Sequence, residues 1–202
     1  MLKTYQTCPK KFYLKYIEKV NVPVSSLQFE KGKKIHALAN YFLKGVNISR
    51  IETALSPAEK EIWQKLLDNE YFKKDYLKSE YQISCKISDY WTGGRLDAVV
   101  HDYDEYYILD YKTGAILQNP KDDCQTMIYL LALDKILKNY DTLSFVYIDL
   151  KNNKNHVIKF DNELKKTYTA KITGICSNIT SDTLYKRKCE NCKQCEYAKI
   201  CN

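Results

Sequence analysis

The chain has 202 residues, of which 45% are hydrophobic and 13% aromatic, so it can bury a substantial core and does not have the composition of a disordered protein. Its formal net charge is +7, and residues 1–34 alone carry eight lysines against two glutamates. The longest uncharged apolar run, Met127 to Leu133, has seven residues, whereas a membrane-spanning helix needs about 20. No apolar stretch of signal-peptide length opens the sequence, so we expect a cytoplasmic protein that has no membrane partner.

Hydrophobic spacing predicts a chain in which helices precede, separate and follow the strands. The predicted helices cover residues 8–17, 29–44, 56–67, 122–138 and 161–179, and the predicted strands cover residues 79–88, 94–101, 105–112, 143–150 and 155–160. The third helix begins with a capping box, in which Ser56 is followed three residues later by Glu59. The first three strands have an antiparallel pattern. The sequence therefore predicts an α/β protein with a mixed central β-sheet flanked by helices.

Two carboxylates and a lysine lie in the second and third predicted strands. If the turn between these strands has two or four residues, Asp97 and Asp110 face one another, with Cβ atoms roughly 4.5–5.5 Å apart. Lys112 is two residues beyond Asp110 and points to the same face. A turn with an odd number of residues would send Asp97 to the other face. Tyr103 and Asp104 are not an ideal two-residue turn, which favours the turn of four.

Carboxylates at that separation repel one another, and each is costly to bury alone. A divalent cation removes both costs, and carboxylate oxygens together with waters suit Mg²⁺ or Mn²⁺. Lys112 beside the cation would orient a water or stabilise negative charge as it develops on a phosphate. The alternative is a half-exposed hairpin whose aspartates pair with Lys112 and Arg95 and bind no metal.

Half of the eight cysteines are concentrated near the C-terminus. Cys189, Cys192, Cys195 and Cys201 all lie in the last 14 residues. In a chain without a signal peptide, clustered cysteines indicate a metal site more than a disulfide framework. A bacterial ferredoxin run would need a cysteine at position 199, where this chain has lysine. A zinc site made by the four tail thiolates remains open, although its spacing is more compact than that of usual zinc ribbons.

Several short motifs, taken together, resemble the RecB-like branch of the PD-(D/E)xK nucleases. In chain order they are Gly32-Lys33-Lys34-Ile35-His36, Gly94-Arg95-Leu96-Asp97, Ile108-Leu109-Asp110-Tyr111-Lys112-Thr113-Gly114, and Gln125 with Tyr129. The stretch from Tyr5 to Tyr16, which contains Cys8-Pro9, resembles the N-terminal segment of the family's iron–sulfur members. The family name has proline where this chain has Leu96. The resemblance implies a restriction-endonuclease-like core.

The resemblance also implies a metal-binding set. His36, Asp97 and Asp110 would bind the catalytic Mg²⁺ or Mn²⁺, helped by the carbonyl oxygen of Tyr111. Glu80 matches an acidic position that is often seen in the family's first strand. A surface salt bridge is the alternative role for that glutamate.

Three further residues would serve the reaction and its substrate, if the resemblance holds. Lys112 would be the catalytic lysine. Gln125 and Tyr129, one turn apart on a helix, would line the site and contact DNA. Tyr41, Tyr111 and Tyr129 are candidates for stacking on bases, with core packing as the alternative for each.

A third interpretation of the cysteines follows from the same resemblance. Cys8 with Cys192, Cys195 and Cys201 matches the four-cysteine pattern of AddB-like and CRISPR-associated exonucleases, which implies a structural [4Fe–4S] cluster. Cys189 would then be spare or an alternative ligand. The cluster would join the two ends of a single nuclease domain, residues 1–202. That domain would comprise an N-terminal helical segment (1–28), a nuclease core (29–180) and a cysteine-rich tail (181–202).

The function implied is that of a Mg²⁺- or Mn²⁺-dependent DNA nuclease, in particular an exonuclease that acts on single strands or free ends. Its partners would be DNA and either CRISPR integration proteins or a helicase–nuclease assembly. Lys10 and Lys11 in the basic N-terminal segment would bind DNA phosphates. Two alternatives remain: a non-catalytic DNA- or protein-binding subunit of nuclease fold, and a zinc-binding nucleic-acid module.

Overall fold

The computed structural model describes residues 1–22, 27–114, 116, 118–188 and 192–201. Within them, the α-helices are α1 (Leu2–Thr7), α2 (Pro9–Phe12), α3 (Leu27–Leu43), α4 (Ser49–Thr53), α5 (Pro57–Asp68), α6 (Cys124–Ile136) and α7 (Asn162–Ser181). The strands are β1 (Asp75–Ile87), β2 (Tyr90–Asp102), β3 (Glu105–Lys112), β4 (Thr142–Asp149) and β5 (Lys154–Lys159). Among the described residues, no helix combines the length and apolar character that crossing a bilayer requires.

The helices agree with the sequence pattern where periodicity is long and differ where segments are short. α5 begins with the predicted capping box: the main-chain N–H of Ser56 donates to Glu59 at 2.8 Å, and the Ser56 hydroxyl accepts the N–H of Glu59 at 3.4 Å. α1 and α4 were not predicted, because helices of five or six residues show less than two turns of periodicity. α3 begins at Leu27, two residues before the start predicted from the sequence, and the preceding residues 23–26 lie outside the described part.

The five strands form one sheet in the order β1-β2-β3-β4-β5. Neighbouring strands are antiparallel except for β3 and β4, which are parallel. A parallel pair needs a long crossover connection, and α6 supplies it. The predicted mixed sheet is therefore confirmed.

Helices cover both faces of this sheet, which confirms the α/β class. Ile108 and Phe145 of the two central strands pack with α6 and α7 on one face. Leu109 and Val146, the next residue on each strand, pack with α3 and α5 on the other. This strict alternation buries both faces of β3 and β4, as expected for strands inside a three-layer fold.

The β2–β3 hairpin has the predicted register but a shorter turn than predicted. The ladder runs from Asp102–Glu105 to Ala98–Leu109. The turn therefore has two residues, and the expectation of four was wrong. Tyr103 takes a left-handed conformation (φ 51°), as the first position of a tight hairpin turn requires. Its side chain is 90% exposed, so the turn places no packing demand on it.

The two ends of the chain lie against each other. The Tyr5 hydroxyl donates to Asp182 at 2.7 Å, and Lys11 Nζ lies 2.7 Å from a carboxylate oxygen of Glu196. Phe12 stacks on the ring of Tyr185. These contacts join α1 and α2 to the C-terminal tail. Lys11 is therefore paired with Glu196, and its contact with DNA phosphates stays a prediction.

α6 approaches β2 closely at Gly94. A Cβ added at Gly94 would lie only 2.6 Å from the hydroxyl oxygen of Tyr129. That hydroxyl donates to the main-chain oxygen of Arg95 at 2.8 Å and accepts its N–H at 3.1 Å. The Tyr129 side chain therefore packs against the strand only because residue 94 is glycine.

We predict that Gly94→Ala lowers the free energy of unfolding by about 1–3 kcal/mol, because the added methyl group must displace the Tyr129 ring. The melting temperature should fall by about 2–4 °C for each kcal/mol. Gly174→Ala is the matched control: it lies in α7 with no atom within 4 Å of an added Cβ. Alanine is favoured over glycine in a helix by about 0.5–1 kcal/mol, so this variant should melt slightly higher. Equal melting temperatures for the two variants would contradict the packing argument.

Candidate active site

A cleft of about 640 Å³ opens beside the C-terminal end of β3. One wall is formed by α3 and the other by residues of β1, β2 and the end of β3. His36, Glu80, Tyr111 and Lys112 all line it. Together with Arg95, which also lines the cleft, they bring three of the four motifs and Glu80 to one depression.

Asp97 lies where β2 and β3 diverge. The ladder ends at Ala98–Leu109, and one residue further the Asp97 carboxylate accepts the main-chain N–H of Tyr111 at 3.1 Å. Its other oxygen lies 3.2 Å from Nδ1 of His36. The Asp97 side chain therefore lies in the gap between the strands. It accepts the N–H of Tyr111, which a main-chain carbonyl of β2 would accept if the ladder continued. The two aspartates keep the predicted register without forming a regular cross-strand pair.

His36 is placed by a close contact between α3 and the turn after β3. A Cβ added at Gly32, one turn earlier, would lie 3.3 Å from Oγ1 of Thr113, so glycine lets the helix approach. Nε2 of His36 lies 3.0 Å from the carbonyl oxygen of Tyr111. Burial by itself lowers the pKa of His36, but the hydrogen bond and charge of Asp97 outweigh it, so the pKa is raised.

Glu80 joins this group through an irregularity in β1. It lies between the register pairs Ser79–Ala98 and Tyr81–Leu96, and its backbone is left-handed (φ 46°). Such a conformation is costly for a residue other than glycine and is often associated with a functional site. Glu80 also pairs with Nε of Arg95 at 2.8 Å, so the salt bridge that we considered is present as well.

Ligand atoms of three side chains come together at this point. One atom each of His36, Glu80 and Asp97 lie within 4.8 Å of one another. From the sequence we did not include Glu80 among the metal ligands. Its position in a strand did not show that its carboxylate would lie close to Asp97.

Asp110 is the most buried acidic group of the site, with 2% of its surface exposed. Nε2 of Gln125 donates to its Oδ1 at 2.5 Å. Lys112 Nζ lies 2.7 Å from Oδ2 as an ion pair, yet no described residue gives Oδ2 a hydrogen bond of acceptable geometry. Burial, and then the charge of Asp97, raise the pKa of Asp110 despite Lys112.

These donors fit a divalent cation such as Mg²⁺ or Mn²⁺. Asp110 is a buried carboxylate that is repelled by Asp97, and Lys112 offsets only part of this cost, so a divalent cation would lower it further. The nearby group contributes two carboxylates and an imidazole, and hard divalent ions prefer oxygen ligands. The residues that would hold the ion are His36, Glu80, Asp97, Asp110 and the carbonyl of Tyr111.

α6 supplies the support for Asp110. Asp123 caps the helix by accepting the N–H of Gln125 at 3.1 Å, and Lys3 of α1 lies 3.0 Å from the other oxygen of Asp123. Gln125 is thereby held against Asp110. Tyr129 is only 9% exposed and its hydroxyl is bonded to Arg95, so its contact with DNA stays a prediction. The sequence marked the helix start but gave no sign that Lys3 would reach it.

A second cavity, of about 310 Å³, lies between the two ends of the chain. Cys8, Cys192, Cys195 and Cys201 all line it, and none of them forms a disulfide. Cys8 also caps α2, since its sulfur accepts the N–H of Lys11 at 3.4 Å. Cys189, the remaining tail cysteine, lies outside the described residues.

We predict that Asp110→Asn stabilises the metal-free fold and removes its response to metal. Because the folded protein raises the pKa of Asp110, this group contributes less stability as pH rises from its usual pKa through the raised value. In EDTA the stability of the variant relative to the wild type should rise between pH 5 and pH 8 by about 1 kcal/mol, or about 2–4 °C in melting temperature. Added Mn²⁺ should raise the melting temperature of the wild type only.

Asp89→Asn is the control for this experiment, since Asp89 is 93% exposed at the β1–β2 turn. It should behave as the wild type at both pH values and with Mn²⁺. A Mn²⁺-induced rise in the melting temperature of Asp110→Asn equal to that of the wild type would refute the metal assignment.

Comparisons with known proteins identify the family of this chain. The RecBCD enzyme subunit RecB of Borreliella burgdorferi is 27% identical in an alignment 142 residues long that covers 61% of this chain and 12% of that subunit. A candidate exonuclease from Eubacterium rectale has the same fold, with a TM-score of 0.60 at 9% identity over 98% of this chain and 86% of its own. A sequence model of the PD-(D/E)XK nuclease superfamily matches residues 1–202. The chain therefore belongs to the PD-(D/E)XK nuclease superfamily.

Proposed function

We propose that the protein is a divalent-metal-dependent DNA nuclease that hydrolyses phosphodiester bonds in the cleft beside β3. The observation that carries this proposal is the buried carboxylate of Asp110, paired with Lys112 at 2.7 Å, beside the group formed by His36, Glu80 and Asp97. Several carboxylates gathered around a buried one are costly in a purely structural site.

Each residue of the site has a distinct task in this proposal. Mg²⁺ or Mn²⁺ held by the ligand set would polarise the scissile phosphate and lower the pKa of a water. Lys112 stabilises the negative charge that builds up on the phosphate. Gln125 is a positioning residue, because it donates a hydrogen bond to Oδ1 of Asp110 and so keeps Oδ2 on the side of Lys112.

The cleft is suited to a polyanion. Lys33, Arg95 and Lys112 line it, so the phosphates that flank the scissile bond would meet positive charge on both walls. We propose an exonuclease acting on single strands or free ends. The RecB relative and the fold shared with the candidate exonuclease support that preference.

The RecB relative also favours a helicase–nuclease assembly as the setting, because that subunit belongs to an enzyme of several subunits. A role with CRISPR integration proteins rests on the four-cysteine resemblance alone. We therefore place DNA first among the partners and a helicase-containing assembly second.

We also propose that Cys8, Cys192, Cys195 and Cys201 hold a structural [4Fe–4S] cluster. The four thiols line one cavity, and none of them forms a disulfide, which supports a shared metal centre. Lys11 lines the same cavity and would offset part of the negative charge of the thiolates. The cluster would reinforce the contact between the ends of the chain.

We predict that the wild type cuts end-labelled single-stranded DNA with Mn²⁺, and that Lys112→Met lowers kcat by at least about a hundredfold, because transition-state charge loses its partner. Asp110→Ala should be equally inactive. Lys60→Met, on the exposed face of α5, is the control and should retain full activity. Labels at the 5′ and 3′ ends give the polarity. An inactive wild type that still binds DNA would indicate the non-catalytic subunit instead.

A further prediction concerns the cysteines. Anaerobically purified protein should absorb near 400 nm and contain iron, and Cys201→Ser should lose iron and melt at a lower temperature, because loss of a ligand frees the tail. Cys176→Ala is the control, since Cys176 is buried in α7 and does not line the cavity. Colourless protein with one zinc per chain would replace the cluster by a zinc site.

A further inference from the structure

The active-site cleft contains one tyrosine, Tyr41, whose ring is not buried in the core. The sequence suggested three tyrosines as stacking partners for bases, and the structure separates them: Tyr111 is 2% exposed and Tyr129 is 9% exposed, whereas Tyr41 is 43% exposed. Tyr41 lines the same cleft as His36 and Lys112. Core packing therefore accounts for the first two tyrosines and does not account for Tyr41.

The position of Tyr41 on α3 relates it to the metal site. Tyr41 follows His36 by five residues, which is a rise of about 7.5 Å along the helix axis. Side chains on a helix lean towards its N-terminus, so we expect the Tyr41 ring to extend towards Ala37, one turn earlier. Ala37 also lines the cleft, and its side chain is a single methyl group. No ring of the described residues stacks on Tyr41. A flat apolar face thus stands open, displaced along the cleft from the catalytic residues.

Asn40 supplies a fixed polar group next to this ring. Its Oδ1 accepts a hydrogen bond of 2.6 Å from the hydroxyl of Ser79, which is 8% exposed. The amide is therefore fixed in orientation, and no described residue accepts a hydrogen bond from its Nδ2. Asn40 is half-buried and lines the cleft. The pair of residues offers a stacking surface and an oriented donor, which is what a heteroaromatic ring with carbonyl or ring-nitrogen acceptors needs.

We infer that Tyr41 and Asn40 form a nucleobase subsite, in which the base of a nucleotide adjacent to the scissile phosphate stacks on Tyr41. The Asn40 amide donates to an acceptor of that nucleotide. This inference rests on the proposed nuclease function. Stacking does not distinguish between bases, because every base has a π-face. The subsite would therefore position the DNA strand without base specificity. It favours unpaired nucleotides, since a paired base is already stacked in its duplex.

The test compares single-stranded oligonucleotides that carry one abasic residue at each of the first four positions from the end. For the wild type, one position should raise KM by roughly 5- to 100-fold, the range of one lost base–aromatic stack. Tyr41→Ala should show that same rise on the intact oligonucleotide and no further rise at the sensitive position. Tyr41→Phe should restore the wild-type KM, because the ring is kept. Tyr103→Ala is the matched control, since Tyr103 is exposed at the distant β2–β3 turn.

A second measurement does not depend on cleavage. With Asp110→Asn, 2-aminopurine at the sensitive position should lose fluorescence on binding, and Tyr41→Ala in the same background should abolish that loss. If the wild type cuts DNA but Tyr41→Ala has an unchanged KM, the subsite is refuted while the nuclease proposal stands. Equal KM changes at all four abasic positions would also refute it. A wild type that neither cuts nor binds DNA would remove both proposals.

Discussion

The site depends on the burial of one carboxylate at the end of a central strand. Asp110 is almost inaccessible, and burying a lone negative charge is costly unless it is hydrogen-bonded or neutralised. Gln125 satisfies one oxygen, and Lys112 is paired with the other. The charge of Asp97 opposes this pairing, so a divalent cation bound near both aspartates would lower the free energy. Because Asp97 lies close enough to raise the pKa of Asp110 further, the two aspartates act together on whatever binds there.

Two helices must reach this point from opposite faces of the sheet, and in each case a glycine permits the approach. Gly32 brings α3 against Thr113, which delivers His36 and the wall that carries Tyr41. Gly94 admits the ring of Tyr129, which seats α6 and thereby Gln125. The two glycine motifs, although far apart in the sequence, therefore serve the same purpose. In each, the glycine lets a helix and the sheet approach closely, and this brings the neighbouring functional side chain into the site.

The ends of the chain connect to the same helix. α1 reaches the cap of α6 through Lys3 and Asp123, and the turn after α1 begins with Cys8 at the cysteine cavity. The Cys124 thiol donates to the side-chain oxygen of Gln6 at 3.0 Å, which adds a second contact beside the cap. Direct contacts thus connect the N-terminal segment to α6, the helix whose Gln125 binds Asp110. The two segments are about half the chain apart in sequence.

Local sequence determined the elements and the identity of most site residues. The capping box at Ser56, the alternation in β1–β3 and the register of the hairpin follow from spacing alone, because they depend on neighbours within a few residues. Only the tertiary structure decided that Asp97 leaves the ladder, that Glu80 turns towards it in a left-handed conformation, and that Lys11 is taken up by Glu196. Each of these depends on where diverging strands and distant segments meet. The energy of such contacts comes from desolvation and charge in three dimensions, which no local periodicity encodes.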